Sequence, residues 1–304
     1  MSRLPDPQAT GDGGYADRQA APPVVGFVGS GRAASTLARS LARAGYELVV
    51  AARGTAASTL AGSLDARVEG AAGVLETSDL TLLAVPDGAI AGLVTDLAGR
   101  VAPGEGRAVA HLAGSHGRDV LEPLAARGYT TLAIHPLQVL SGWRIAPGTT
   151  FAVEADATGI ELAGRVVRDL SGTVIELPAG GRAAYHAAAV IAANLGMTML
   201  AEAVDLLEQQ GISRDEALQG LGALVRGGLE ASMDRGLPQA LTGPITRGDV
   251  DTVAGHLAAL AGDPELRRAY AATSLLTLRQ GRRDGRPAGD DAATRIRVML
   301  EHVL

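Results

Sequence analysis

The residues able to do chemistry fall in a few short stretches of this 304-residue chain. The first is Gly29-Ser30-Gly31-Arg32-Ala33-Ala34, between an apolar run at 24–28 and a stretch at 35–44 that carries Leu37 and Leu41 at helical spacing. This is G-x-G-x-x-G/A at a strand-to-helix turn. Gly29 permits the tight turn, Gly31 lets a pyrophosphate reach the backbone, and small Ala34 lets the helix pack close to the strand. Free N–H groups at the helix start then face the anion. The motif has a strand-like run before it, a helix-like run after it and a second apolar run at 47–51. It therefore reads as a dinucleotide cradle rather than a plain turn.

That second run ends in Ala51-Ala52-Arg53-Gly54. NAD-binding folds usually place an acid there, which accepts hydrogen bonds from the ribose hydroxyls. Arg53 can instead pair bidentately with a 2′-phosphate and stack on the adenine. Arg32 adds a second cation, and Thr55 and Ser58 offer hydroxyls. The expected cofactor is NADP. The alternative is a solvated Arg53 in a protein that accepts either nucleotide. A methyl-donor nucleoside site ranks lower, because it too calls for an acid at that strand end.

Three further stretches would meet the other end of the nucleotide and a substrate. In "LLAVPDGAI", Val85 and Pro86 form an apolar wall, and Asp87 is a helix N-cap or a contact to the nicotinamide side. "VAHLAGSHG" places His111, grouped with the cofactor residues, at a strand end beside Gly114, Ser115 and His116. "LAIHPLQ" places His135, grouped with the substrate residues, at another. These histidines lack the carboxylates and spacing of a metal site, and no metal is expected.

Tyr185 and His186 open a long apolar helical stretch, with Asn194 eight residues after His186. In a regular helix that spacing is about 12 Å along the axis and within about a quarter-turn. Polar groups on such a helix are satisfied core groups or belong to an active site, because unpaired burial is costly. In an active site, His186 is the expected proton donor and Asn194 orients the substrate carbonyl. In "ALTGPITRGD", Arg247 either holds a substrate carboxylate, with Thr242 beside it, or is an ordinary loop-to-helix arginine. His256 and His302 read as structural.

Composition narrows the chemistry further. The chain has no cysteine, and all 27 basic residues are arginine. Thiolate metal sites, disulfides, Schiff-base chemistry and a phosphate-loop lysine are excluded. The net charge of −6 is dispersed and only 3% of residues are aromatic, so no nucleic-acid surface is expected. No uncharged apolar run of about 18 residues stands out, so no membrane span is expected. Residues 1–22 are rich in Pro, Gly and Asp and read as a disordered tail without an export signal. The cytoplasm is the expected compartment.

The positioning elements follow from the patterning. Short apolar runs near 24–28, 47–51, 80–85, 108–112 and 130–134 alternate with helical stretches. They predict an α/β Rossmann domain over 23–180 with a doubly wound, mostly parallel sheet. Runs at 149–155 and 172–178, flanking a helix at 160–170, predict two more strands at the far edge. An all-helical domain for substrate binding and dimerisation is expected over 181–304. Its helices lie near 182–210, 214–234, 249–261, 264–280 and 289–303, with Ser213 and Asp249 as N-caps and a charged loop at 281–291. The apolar first helix needs cover from the first domain or a second subunit.

Taken together, "VGFVGSGRAASTLA", "LLAVPDGAI", "VAHLAGSHGRDVL", "HPLQ", "YHAAAVIAAN" and "ALTGPITRGD" resemble the Rossmann-like and DUF2520 domain proteins. These are related to the 6-phosphogluconate dehydrogenase-like superfamily. The resemblance implies a Rossmann domain, a helical C-terminal domain, a homodimer and NADP-dependent reduction. Ketopantoate reductases are more distant relatives. They carry a lysine and an asparagine at the spacing of His186 and Asn194, which implies ketopantoate as one substrate, with His186 in place of the lysine. The family's usual "HTSG" is His111-Leu112-Ala113-Gly114 here. The reading is an NADP-dependent reductase of a small carbonyl or imine acid. Its rivals are a pyrroline-carboxylate-type imine reductase and a non-catalytic NADP-binding regulatory or scaffold protein.

Overall fold

The computed structural model describes residues 22–140, 143–283 and 290–304. The expected tail lies outside these residues except for Pro22, as does the 284–289 part of the expected 281–291 loop. The chain divides into two compact units, Met1–Ala189 and Val190–Leu304.

The first unit is built on one sheet whose strands are β1 (Val25–Val28), β2 (Leu48–Ala51), β3 (Arg67–Val68), β4 (Leu80–Leu83), β5 (Ala108–His111), β6 (Thr130–Pro136), β7 (Thr150–Glu154) and β8 (Thr173–Glu176). Their order is β3-β2-β1-β4-β5-β6-β7-β8. Strands β1, β2, β4 and β5 are buried at every position, which is why they read as continuous apolar runs rather than alternating ones. Strand β3 was not legible: it is two exposed residues paired to Val49 and Val50, too short to show a period.

Helices cover both faces. On one lie α1 (Arg32–Arg43), α2 (Ala56–Gly62) and α6 (Ala157–Asp169), whose Leu37, Leu41, Leu60 and Val167 pack with Phe27 and Phe151. On the other lie α3 (Ala71–Thr77), α4 (Ile90–Ala98) and α5 (Glu122–Ala125), whose Val74, Leu97 and Leu124 pack with Val49 and Val109. The strand order reverses between β1 and β4, the place where such sheets open a crevice for ligands.

All pairings are parallel except β6 with β7, where His135 lies opposite Ala152. Among the described residues no helix joins these two strands, and a connection without a crossover element returns antiparallel. Gln138 organises that connection: its Nε2 donates to Arg144 O, and its Oε1 accepts from Ala146 N and Thr149 Oγ1. Buried Ser40 ties it to α1, accepting from Ile145 N at 2.8 Å while donating to Thr36 O at 2.9 Å.

Next come α7 (Arg182–Val190), a π-helical turn (Ile191–Leu195) and α8 (Gly196–Glu208), where a single helix was expected. The second unit continues with α9 (Arg214–Arg235), α10 (Leu237–Ala240), α11 (Pro244–Arg247), α12 (Val250–Ala259), α13 (Pro264–Arg283) and α14 (Asp290–Glu301). Its core joins Ile245, Val253, Leu257, Ala271, Leu278 and Ile296. Ser213 forms a capping box with Glu216, and Asp249 accepts from Thr252 N, as their positions predict.

The expectation that no long uncharged apolar run occurs is corrected here. Residues 183–201 hold no Asp, Glu or Arg. By length and composition the helix Arg182–Glu208 is apolar enough to cross a membrane: an 18-residue window within it has a mean hydropathy of 1.6 and is 6% buried. Tyr185, His186, Asn194 and Thr198 hid the run by breaking it into shorter apolar pieces.

Replacing Ser40 by Ala removes the acceptor of a buried backbone N–H. The expected result is a loss of about 1–3 kcal/mol, read as a lower urea midpoint of the first unit. An unchanged midpoint would show that the connection does not depend on this bond.

Candidate functional site

The glycine motif folds as its residue types require. Gly29 has φ 120°, and a Cβ there would lie 2.2 Å from Ala84 O, so the backbone leaving β4 leaves no room for a side chain. A Cβ on Gly31 would meet nothing within 4 Å, and Gly31 borders a cavity of about 500 Å³. Helix α1 starts at Arg32 without a side-chain cap and without an acid in its first turn. Its free N–H groups and positive dipole end are available to an anion. Ala34 is fully buried against the sheet. Ser30 borders the turn; its carbonyl accepts from Ser35 Oγ at 3.3 Å. Arg32, Ala33, Val85, Pro86 and Asp87 line the same cavity.

Arg53 follows the end of β2 and is exposed. Among the described residues neither Arg53 nor Arg32 joins an ion pair. These features fit a dinucleotide carrying an additional phosphate: an open approach over Gly31, an uncapped helix start and two free guanidinium groups.

Asp87 does not cap a helix. It already lies inside the 3-10 turn Asp87–Ala89, with Pro86 extended before it, and no side-chain cap forms. Its carboxylate instead accepts from Ser115 Oγ at 2.7 Å, with His116 Nδ1 3.8 Å away. This bond ties the loop after β4 to the loop after β5.

A second group of residues gathers at the ends of β5 and β6 and the start of α7. His135 Nδ1 is hydrogen-bonded to the Tyr185 hydroxyl at 2.6 Å. The His135 and His186 rings meet edge to face with centroids 6.2 Å apart. Gly114 makes this possible: a Cβ there would lie 2.5 Å from His186 Nδ1 and 3.1 Å from His135 Nε2. His186 Nδ1 is buried without a hydrogen-bond partner. His111 is fully buried, and its Nε2 meets Gly117 O at 3.0 Å. It shapes the loop from within.

Arg182, at the first position of α7, is only 3% exposed. Its Nε donates to His116 O at 3.1 Å, its Nη1 donates to Ala152 O at 3.4 Å, and its guanidinium lies 5.6 Å from the Tyr185 ring centroid. Sequence reasoning named Tyr185 and Ser115 without giving them a role and gave none to Arg182 or Glu154. The available signal was a charge at each boundary of an apolar element: Arg182 opens α7 and Glu154 closes β7.

Asn194, Thr242 and Arg247 belong to the second unit, all with exposed side chains. Asn194 lies in the π-helical turn. Such a turn holds more residues than an α-turn, so the regular phase expected from His186 to Asn194 is not kept there. Among the described residues no group of three or more His, Asp or Glu is placed to hold a metal.

Burial, together with the nearby Arg182 cation, lowers the pKa of both His111 and His135 to about 4. Burial raises that of Tyr185, so its hydroxyl keeps its proton at neutral pH. The unfolded rings bind protons first, so these two histidines stabilise the fold above pH ~6.5 and lose that contribution as pH falls toward 4. Imidazole NMR is expected to show both rings neutral at pH ~5.5. Midpoints in the ordinary histidine range would contradict the buried, cation-flanked environment.

Comparison with known proteins finds two matching domain models. A Rossmann-like domain model matches residues 7–136, and the DUF2520 model, a domain of unknown function, matches 149–277. No curated protein matches the chain in sequence. Among solved structures, a Bacteroides fragilis protein provisionally named an NADP oxidoreductase is 25% identical, with TM-score 0.65, over 84% of this chain and 97% of that one. A reductive aminase from Aspergillus terreus, in complex with NADPH and ethyl levulinate, is 18% identical, with TM-score 0.65, over 91% and 99%. An imine reductase from Pseudomonas sp. is 18% identical, with TM-score 0.64, over 91% and 99%. Along the chain, a match to the Rossmann-like domain model is thus followed by a match to the DUF2520 model.

Proposed function

We propose that this chain is an NADP-dependent oxidoreductase that reduces the C=O or C=N bond of a small acid. The observation that carries the reading is Arg53: exposed, free of ion pairs among the described residues, and placed after β2 where a ribose-binding acid would otherwise stand. The names of the structural neighbours, an NADP oxidoreductase, a reductive aminase and an imine reductase, support the same class.

Arg53 and Arg32 would hold the 2′-phosphate, and the backbone at 29–34 would hold the pyrophosphate. Val85 and Pro86 would wall the nicotinamide end. When bound, NADPH supplies a hydride to the substrate carbon. The chain's own task is to deliver a proton to the oxygen or nitrogen left behind. His186 is the assigned donor. The Tyr185–His135 pair keeps a second proton beside it, and Arg182 near the Tyr185 ring would favour a transient phenolate. Asn194 would orient the reacting group and Arg247 would neutralise the substrate carboxylate, in a homodimer.

NADPH is expected to bind at least about tenfold more tightly than NADH, roughly 1.4 kcal/mol. Fluorescence titration of the Arg53→Ala variant should abolish the preference, whereas a preference kept in the variant would remove Arg53 from the 2′-phosphate site. Replacing His186 by Ala should lower kcat about 100-fold or more, with Tyr185→Phe milder and NADPH affinity unchanged in both. The reverse ranking would move the donor role to Tyr185.

A further inference from the structure

A second cavity, of about 600 Å³, lies between the 3-10 turn Arg118–Leu121 with α5 on one side and the start of α7 on the other. Its charged lining is Arg118, Asp119, Glu122, Glu154, Asp156 and Arg182. None of the residues lining it lines the cavity over Gly31. We propose that this groove is a second binding site, for a small zwitterion of the α-amino acid class.

Two buried charges carry the proposal. Arg182 is 3% exposed and Glu154 is 6% exposed. Each has a fully buried polar atom without a hydrogen-bond partner, Arg182 Nη2 and Glu154 Oε2. No ion pair within 4.0 Å joins them among the described residues. The bonds from Arg182 Nε and Nη1 to His116 O and Ala152 O fix the guanidinium in place, so its remaining edge cannot turn away to find another acceptor. A buried donor and a buried acceptor of opposite charge, left unmatched beside one cavity, are costly unless something bridges them. Gly117 leaves room beside the carboxylates: a Cβ there would lie 2.6 Å from Asp119 Oδ1 and 3.4 Å from Glu154 Oε2.

The overall charge selects the ligand. The lining sets two arginines against four carboxylates. A simple anion such as phosphate would match Arg182 but face the four acids. A simple ammonium would match the acids and leave Arg182 Nη2 unmet. A molecule carrying a carboxylate and an ammonium a few ångströms apart answers both, as charge-assisted hydrogen bonds require.

The site would also feel the reductase centre. The peptide that accepts from Arg182 belongs to His116, whose neighbour Ser115 both borders this groove and donates to Asp87 on the cradle cavity. The proposal does not depend on the reductase reading, because its test is binding alone.

The test is isothermal titration of the full chain with each of the twenty standard amino acids separately, and with acetate and ethylamine. At least one amino acid should bind saturably at one site per chain, at least tenfold more tightly than acetate or ethylamine. Glu154→Gln should weaken that binding tenfold or more, and so should Ala125→Leu, which fills the groove from α5 without removing a charge. A far-UV circular dichroism spectrum like the parent's and a cooperative thermal transition serve as the check that both variants are folded. The proposal is overturned if no amino acid binds below about 10 mM (roughly 2.7 kcal/mol). It is equally overturned if acetate alone binds as well, or if both folded variants bind like the parent chain.

Discussion

A single buried guanidinium organises the histidine–tyrosine cluster of the first unit. Arg182 opens α7, and two of its N–H groups are spent on the backbone carbonyls of His116 and Ala152. These bonds connect the loop after β5 and the strand paired with β6 to the helix that carries Tyr185 and His186. A cation buried this deeply is expensive unless it is hydrogen-bonded, so the carbonyls and the charge hold one another in place. The same charge acts at a distance. It helps burial to keep His111 and His135 uncharged, and it opposes the rise that burial gives the Tyr185 hydroxyl. Burial thus sets the protonation of the cluster first, and the guanidinium that fixes its geometry adds to that effect on the two histidines.

The cradle rests on a different constraint, the closeness of two strands. β1 and β4 run side by side, and the turn leaving β1 passes so near Ala84 O that only glycine fits at position 29. That close passage aims α1 at the crevice, and Gly31 then leaves the space over the helix start open. The two centres meet through Asp87 and Ser115, one hydrogen bond between the loops of adjacent strands. Moving either loop disturbs the other, which is how a nucleotide on one side and a proton donor on the other would stay in register.

The parts legible in the sequence were those with a repeating or local signal. The buried strands announced themselves as apolar runs, Gly29 and Gly31 as turn chemistry, and Ser213 and Asp249 as caps. The far-edge strands β7 and β8 were also visible. What escaped lacked such a signal. β3 is too short to carry a period, and α10 and α11 are single turns. The antiparallel return at β7 depends on a loop held by Gln138 and Ser40, partners distant in sequence. The π-helical turn at 191–195 sits in residues that read as ordinary helix. Within the site, His186 and His135 could be singled out by type, but their meeting over Gly114 is a tertiary fact. Asp87 looked like a cap and proved to be a bridge, because Pro86 starts the turn one residue early. Arg182 and Glu154 were passed over because isolated charges at element ends are usually solvated.

The most direct measurement is transfer of deuterium from C4-deuterated NADPH to products formed by the purified chain from a panel of 2-oxo acids and cyclic imines. The reductase reading expects at least one substrate whose product carries one deuterium at the former carbonyl or imine carbon, matched mole for mole by oxidised NADP. Tight NADPH binding without deuterium in any product would contradict it, and would leave the chain a nucleotide-binding protein without hydride chemistry.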